Sequence, residues 1–257
     1  MSDGQDARAP SLSIEGAVAT IRLNRPAVHN RIEPADLVAL GEIIDRIGAD
    51  GAVRAVILTA GGRSFSSGFH IGELRPGEGT DESAFGRVAD RLEALRQPTI
   101  CAMNGGVYGG STDLALACDF RIGVTGMAMF MPAARLGLHY YPSGMGRYVS
   151  RLGLNAAKRL FLTAEKLEAE ELLRIGFLTE LVPPEALEGR VAALAATLAA
   201  NAPLAVQGMK AALNGIARGE TDDEAVAAAI RQVRASDDLR EGKAAWAEKR
   251  APVFTGS

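Results

Sequence analysis

The chain has 257 residues, a formal net charge of -3, 47% hydrophobic and 23% charged residues. This is an ordinary globular composition, sized for one large domain or one domain with a small extension. No basic surplus points to nucleic acid; MSDGQDARAP lacks a signal-peptide core and no apolar run is long enough to span a bilayer, so the expected location is the cytoplasm.

In chain order, SLSIEGAVATIRLN reads as a hairpin turning at Glu15-Gly16 and ending at Asn24-Arg25-Pro26. Pro34 opens a helix whose apolar face is Leu37, Leu40, Ile43, Ile44 and Ile47. AVRAVILTA is almost continuously apolar and bounded by glycines, the pattern of a buried strand. GGRSFSSGFH follows as a loop, with a helix start expected at Phe69-His70. Pro76 to Asp81 reads as a flexible surface segment and Phe85 to Leu95 as a helix. TICAMNG is a second buried strand, followed by the glycine-rich bend GGVYGGSTD. LALACDFRIGVT reads as a boundary between helix and strand, and Met127 to Phe130 as a short strand stopped by Pro132.

MGRYVSRLG and NAAKRLFLT are short helices, and Thr163 is expected to cap a helix over KLEAEELLRIG. GFLTELVPPEAL supplies a last strand and a proline turn. Helices are then expected at Glu185 to Ala199, Ala205 to Gly215, Asp222 to Arg234 and Asp238 to Arg250. The organisation is a mixed α/β core over residues 1–200 and a helical region over residues 201–257. The apolar stripe of that tail must fold back on its own domain or reach across a subunit interface.

Cys101 and Cys118 have neither metal-ligand nor redox spacing and read as small buried hydrophobes. The histidines, His29, His70 and His139, lack partners at helical spacing, so no metal site is expected.

One arrangement occurs twice: a buried strand ends in a small-residue loop, and the next segment can start a helix. These are VILTAGGRSFSSGF and TICAMNGGVYGGSTD. Neighbouring parallel strands bring such loops to one edge, where unpaired N–H groups can face a ligand. Two convergent amides stabilise a negative oxygen developing on a carbonyl. Ordinary turns use the same residue types, so the pattern alone leaves both readings open.

The residues that carry the arrangement, TAGGRSFSSGFHIGEL and NGGVYGGSTDLALACDFRI, closely resemble the two signature regions of the crotonase superfamily, the enoyl-CoA hydratase/isomerase family. NRPAVHN resembles the opening of its CoA loop and EKRAPVFTG its tail, so the resemblance runs from about Ser11 to Gly256. It implies a spiral of β-β-α units with a C-terminal helical trimerisation region, assembled as a homotrimer or homohexamer. It implies an acyl-CoA thioester substrate and no cofactor beyond the substrate's CoA moiety. The family's oxyanion amides fall on Phe69 and Gly110. Arg25, Pro26 and Ala27 fall on the CoA path, with Ser67, Phe69, His70 and Gly110 in the binding loops; Lys249 and Phe254 fall near the CoA or acyl region, against a neighbouring subunit.

Two positions depart from the pattern. Hydratases of this family carry a glutamate three residues beyond the oxyanion glycine and another after a proline; here those positions are Asp113 and Ala133. One acid is shortened by a methylene and the other is missing. Asp113 then holds water or acts as the sole base, or nearby polar groups take over. The candidates for the second case are His139 and Tyr140, six and seven residues beyond Ala133. Each also has a bland reading, His139 as a loop hydrogen-bonder and Tyr140 as filler, while Asp113 also suits a helix's first turn. The resulting expectation is an acyl-CoA lyase, foremost an enoyl-CoA hydratase of fatty-acid metabolism. The alternatives are other enolate chemistry on the same fold (isomerase, decarboxylase, thioester or C–C hydrolase) or a non-catalytic acyl-CoA-binding protein.

Overall fold

The computed structural model describes residues 9–70, 72 and 83–257. The surface segment expected at Pro76 to Asp81 lies outside the described residues.

A six-stranded sheet forms the spine, in the order β1 (Ser11–Glu15), β2 (Val18–Leu23), β3 (Ala55–Ala60), β4 (Thr99–Met103), β6 (Phe120–Val124), β9 (Glu180–Val182). The hairpin β1–β2 is antiparallel, and every later pairing within this sheet is parallel: Val18 faces Ala55, Val56 faces Thr99, Ile100 faces Phe120 and Ile122 faces Glu180. All five residues of TICAM are buried in β4, as a strand covered on both faces requires. A second, three-stranded sheet joins β5 (Val107–Tyr108), β7 (Ala128–Phe130) and β8 (Lys166–Glu168).

The helices are α1 (Pro34–Ala49), α2 (Ser83–Ala94), α3 (Ser111–Ala117), α4 (Pro142–Leu152), α5 (Leu154–Thr163), α6 (Ala169–Arg174), α7 (Leu187–Ala200), α8 (Pro203–Arg218), α9 (Asp223–Ala235) and α10 (Asp237–Glu248). The β-β-α unit recurs as β1-β2-α1, β4-β5-α3 and β6-β7-α4. Helix α7 lies across β2, β3, β4 and β6. Lys210 of α8 pins the tail to the core by donating to the Gln97 carbonyl at 2.8 Å and pairing with Asp119 at 2.7 Å. No single helix among the described residues is long and apolar enough to cross a membrane.

Helix α1 begins where Pro34 predicts, because Glu33 and Asp36 form a reciprocal capping box, with the Glu33 amide donating to Asp36 Oδ2 at 2.9 Å. Phe69 and His70 are themselves extended: Phe69 bridges Ile32 in parallel fashion, with Ile32 N–H to the Gly68 carbonyl and His70 N–H to the Ile32 carbonyl, both 2.9 Å. Gly72, two residues on, has 3-10 helical backbone, and residues 73–82 lie outside the described residues. One expectation is corrected. Thr163 does not cap the next helix. It ends α5, its hydroxyl donating to the Arg159 carbonyl at 2.6 Å, while Lys166–Glu168 pairs with β7 and α6 begins only at Ala169. Here sheet pairing outweighs the local cap signal.

Candidate active site

The parallel register places the C-terminal ends of β2, β3 and β4 on one edge of the sheet. Three loops leave that edge: the Arg25 turn, the Gly61–His70 loop and the Asn104–Gly110 bend. They are stitched together from within. Asn30, 1% exposed, accepts from the Arg25 amide at 2.8 Å and donates to the carbonyls of Gly61 at 2.7 Å and Ser64 at 2.9 Å. Ser66 donates to the Asn30 carbonyl at 2.6 Å and accepts from Ser111 Oγ at 2.6 Å and the Gly68 amide at 3.2 Å. Phe65 N–H reaches the Gly106 carbonyl at 3.0 Å, and Tyr108 N–H reaches that of Ser66, also at 3.0 Å. Buried, fully partnered polar groups of this kind fix loop geometry.

The two loops meet at Gly68 and Gly110. A Cβ at Gly68 would sit 2.7 Å from the Tyr108 carbonyl oxygen and 3.3 Å from the Gly110 nitrogen, and Gly68 has φ of +91°. Only glycine allows both the close approach and the backbone conformation. Among the described residues, neither the Phe69 nor the Gly110 amide donates to a protein group. Phe69 is excused by its bridge, in which Gly68 and His70 supply the bonds to Ile32; Gly110 opens α3. The Phe85 ring closes one side, edge-on to Phe69 with centroids 6.1 Å apart and 3.0 Å from where a Gly110 Cβ would be. Two amides without a partner among the described residues thus lie side by side beneath apolar rings, an arrangement that can donate two hydrogen bonds to one oxygen.

Asp113 lies one turn beyond Gly110 and is fully buried. Arg147 grips it with two hydrogen bonds, Nε to Oδ1 at 2.8 Å and Nη2 to Oδ2 at 2.6 Å. Tyr141 donates to Oδ2 at 2.5 Å. Arg147, 2% exposed, also reaches Asp90 at 2.7 Å and Glu93 at 3.2 Å; Glu93 pairs further with Arg151 at 2.8 Å and Arg218 at 3.1 Å. Three carboxylates thus meet three guanidiniums across α2, α3, α4 and α8. Burial opposes the Arg147 charge, but the hydrogen bonds and charge of Asp113 outweigh it and raise its pKa. Burial first, and then the Asp113 charge, push the phenols of Tyr140 and Tyr141 well above their ordinary range, so both stay protonated.

The structure therefore distributes the expected site residues unevenly. Phe69 and Gly110 come together, with Asp113 behind them. Ala133 is 7% exposed and puts a methyl group into the core, so the second acid position offers no proton chemistry. His139 is exposed and its Nδ1 contacts the Tyr140 carbonyl of its own loop at 2.8 Å, the geometry of the loop-ordering reading. Tyr140 stands beside the acid without touching it: its ring stacks on Tyr141 at 4.4 Å, and the two hydroxyls are 3.3 Å apart. Tyr141, the neighbour, makes the contact. His70 turns away from the Phe69 amide to meet Glu33 Oε2 at 2.8 Å; burial of Glu33 raises its pKa, but the hydrogen bonds from Arg31 and His70 prevail and lower it.

On the CoA side, Arg25 points its guanidinium inward onto Asp36, at 2.8 and 2.9 Å, so its side chain anchors the turn while Pro26 and Ala27 are exposed. Ser67 ties the first loop to that turn through its amide, 2.8 Å from the His29 carbonyl. Lys249 is exposed at the end of α10. The Phe254 ring lies over Gly242, and its carbonyl accepts from Arg54 at 2.6 Å. Arg54 directly precedes β3, at the end of the strand opposite the one the Gly61–His70 loop leaves from.

Tyr141, Arg147, Asp90 and Glu93 were missed from sequence. Their only signal is complementary helical spacing: Asp90 and Glu93 at i, i+3, Arg147 and Arg151 at i, i+4.

The fold is thus a mixed sheet of β-β-α units with a pair of amides, unpartnered among the described residues, at its carboxyl edge. The enoyl-CoA hydratase/isomerase family model matches residues 13–257, and the chain belongs to that enzyme family. It is 34% identical over 249 residues to the short-chain-enoyl-CoA hydratase of Clostridium acetobutylicum, covering 93% of this chain and 94% of the relative. It is 30% identical to the (E)-benzylidenesuccinyl-CoA hydratase of Thauera aromatica over 96% of this chain and 99% of that one. Among solved structures, the enoyl-CoA hydratase of Bacillus anthracis superposes with a TM-score of 0.87 at 30% identity, covering 96% of this chain and 99% of that one.

Proposed function

We propose that this enzyme adds water reversibly across the 2,3-double bond of an enoyl-CoA thioester, holding the enolate oxygen between the Phe69 and Gly110 amides. The observation that carries the reading is that pair of unpartnered N–H groups, locked at the contact of Gly68 and Gly110. Similarity to named hydratases supports hydration as the reaction. In this reading the Arg25–Ala27 turn and Ser67 flank the CoA path, and Lys249 and Phe254 serve a neighbouring subunit. The assembly is a homotrimer or homohexamer in the cytoplasm, formed through α8–α10. Support for assembly comes from an apolar groove of about 420 Å³ lined by Leu204, Val233, Leu239, Trp246 and Phe254, with Trp246 88% exposed.

A second reading, proton-shift isomerisation or other enolate chemistry, is favoured by one observation: Ala133 supplies no acid and both Asp113 oxygens are already engaged. Incubation of the purified enzyme with short, medium and aromatic enoyl-CoAs, followed by mass spectrometry, separates the two. Hydroxyacyl-CoA products support hydration. Isomerised, decarboxylated or hydrolysed products without hydroxyacyl-CoA would overturn it.

A further inference from the structure

Asp113 occupies the position of an acid, yet it has no exposed surface and three hydrogen bonds. Any proton that reaches it or leaves it must pass through one of the groups bonded to it. Arg147 supplies two of the three bonds, and an arginine does not give up its proton in a protein. Tyr141 supplies the third. Its hydroxyl has one proton, which it donates to Asp113 Oδ2; of its two lone pairs, one faces the Tyr140 hydroxyl at 3.3 Å and the other is left for a further donor.

Tyr141 and the Gly110 loop pack against adjacent residues of α2. The ring packs over Gly86, 3.0 Å from where its Cβ would be, and the preceding residue, Phe85, packs over Gly110 in the same way. Tyr141 is half-buried where Asp113 is fully buried, so the phenol is the outer member of the pair. Arg147 in turn is held by Asp90 and Glu93, which fixes the fork that aims Asp113 at Tyr141.

We propose that Tyr141 is the catalytic proton carrier of this site, relaying protons between the acyl chain and Asp113, with Arg147 as the positioning residue. The proposal rests on the enoyl-CoA reading above. Water donates a hydrogen bond to Tyr141 Oη. As the water oxygen bonds to Cβ, the C=C electron pair moves onto the thioester as an enolate, received by the Phe69 and Gly110 amides. The water proton passes to Tyr141 Oη while the Tyr141 proton passes to Asp113 Oδ2. Running backwards, Asp113 returns a proton to Tyr141, and Tyr141 delivers one to Cα. The product carries OH on Cβ and H on Cα, and both residues end as they began.

Two assays on the wild type, Tyr141→Phe, Asp113→Asn and the double variant test this: hydration of crotonyl-CoA, and exchange of the Cα protons of butyryl-CoA in heavy water followed by NMR. Phenylalanine keeps the ring stacking on Tyr140, so folding is checked by thermal midpoint and circular dichroism. The relay predicts that Y141F lowers kcat and the exchange rate by about 10²–10⁴-fold, the usual worth of general acid–base catalysis, with KM changed by less than about threefold. It also predicts that the double variant is no slower than the slower single variant, because the residues act as one unit. Wild-type rates in Y141F, or losses that multiply in the double variant, overturn the relay. Exchange without hydration in the wild type overturns the hydration reading alone and leaves the exchange series to decide the relay. Neither activity in the wild type overturns both.

Discussion

Replacing Gly68 with alanine tests how tightly the oxyanion site depends on contact between its two loops. The new Cβ would stand 2.7 Å from the Tyr108 carbonyl oxygen and 3.3 Å from the Gly110 nitrogen, against the 3.4 Å at which ordinary contact begins. Restoring contact to the carbonyl requires a shift of 3.4 − 2.7 = 0.7 Å between the loops that carry the Phe69 and Gly110 amides. A misplacement near 1 Å costs about 10²-fold in rate, and loss of one oxyanion donor about 10²–10³-fold. The φ of +91° at Gly68 adds strain of about 1–3 kcal/mol to the folded state. Gly126→Ala is the matched control, since its φ of +79° gives comparable strain but its Cβ meets nothing within 4 Å. Steady-state kinetics on crotonyl-CoA and thermal melts of both variants are the assay. G68A should lose kcat by about 10²-fold or more while G126A loses only stability. The reasoning fails if both variants melt early and G68A keeps its kcat within about threefold of wild type.

Arg147→Ala leaves Asp113 buried and without its ion partner, so urea denaturation should show a loss of about 3–5 kcal/mol; a loss below about 1 kcal/mol would remove the case for the buried network. Tyr140, Tyr141 and Tyr148 all have raised phenol pKa values, so a spectrophotometric titration of the folded protein should show at most one of the four tyrosines ionising before about pH 11. Above about pH 10 the unfolded chain sheds phenol protons that the native state retains, so the thermal midpoint should fall as pH rises from there. On the proposed assembly, Trp246→Ser should shift sedimentation towards smaller species, because it removes an exposed indole beside the apolar groove.

The centre of the spine is legible because strands such as TICAM are short, mostly apolar runs, here with Pro98 before it and Gly105 close behind. The two loops are legible for the same reason: parallel strands bring their ends to one edge whatever the side chains. Thr163 misleads because its hydroxyl serves α5 behind it, and the residues ahead find a partner in β7, far away in sequence. The surroundings of Asp113 lie beyond local pattern altogether. Its partners are 28 and 34 residues downstream, and nothing in HYYPSGMGR says which tyrosine turns inward. Gly86 and Gly144, which leave room for the Tyr141 ring, belong to different helices, so the space exists only once α2 and α4 pack together.

The central claim is that Phe69 and Gly110 hold a thioester oxygen with their backbone amides. A crystal structure of the enzyme with butyryl-CoA bound tests it most directly. The account predicts the thioester oxygen at about 2.7–3.1 Å from both amide nitrogens. An oxygen bonded to only one of them, or pointing away from both, would contradict it.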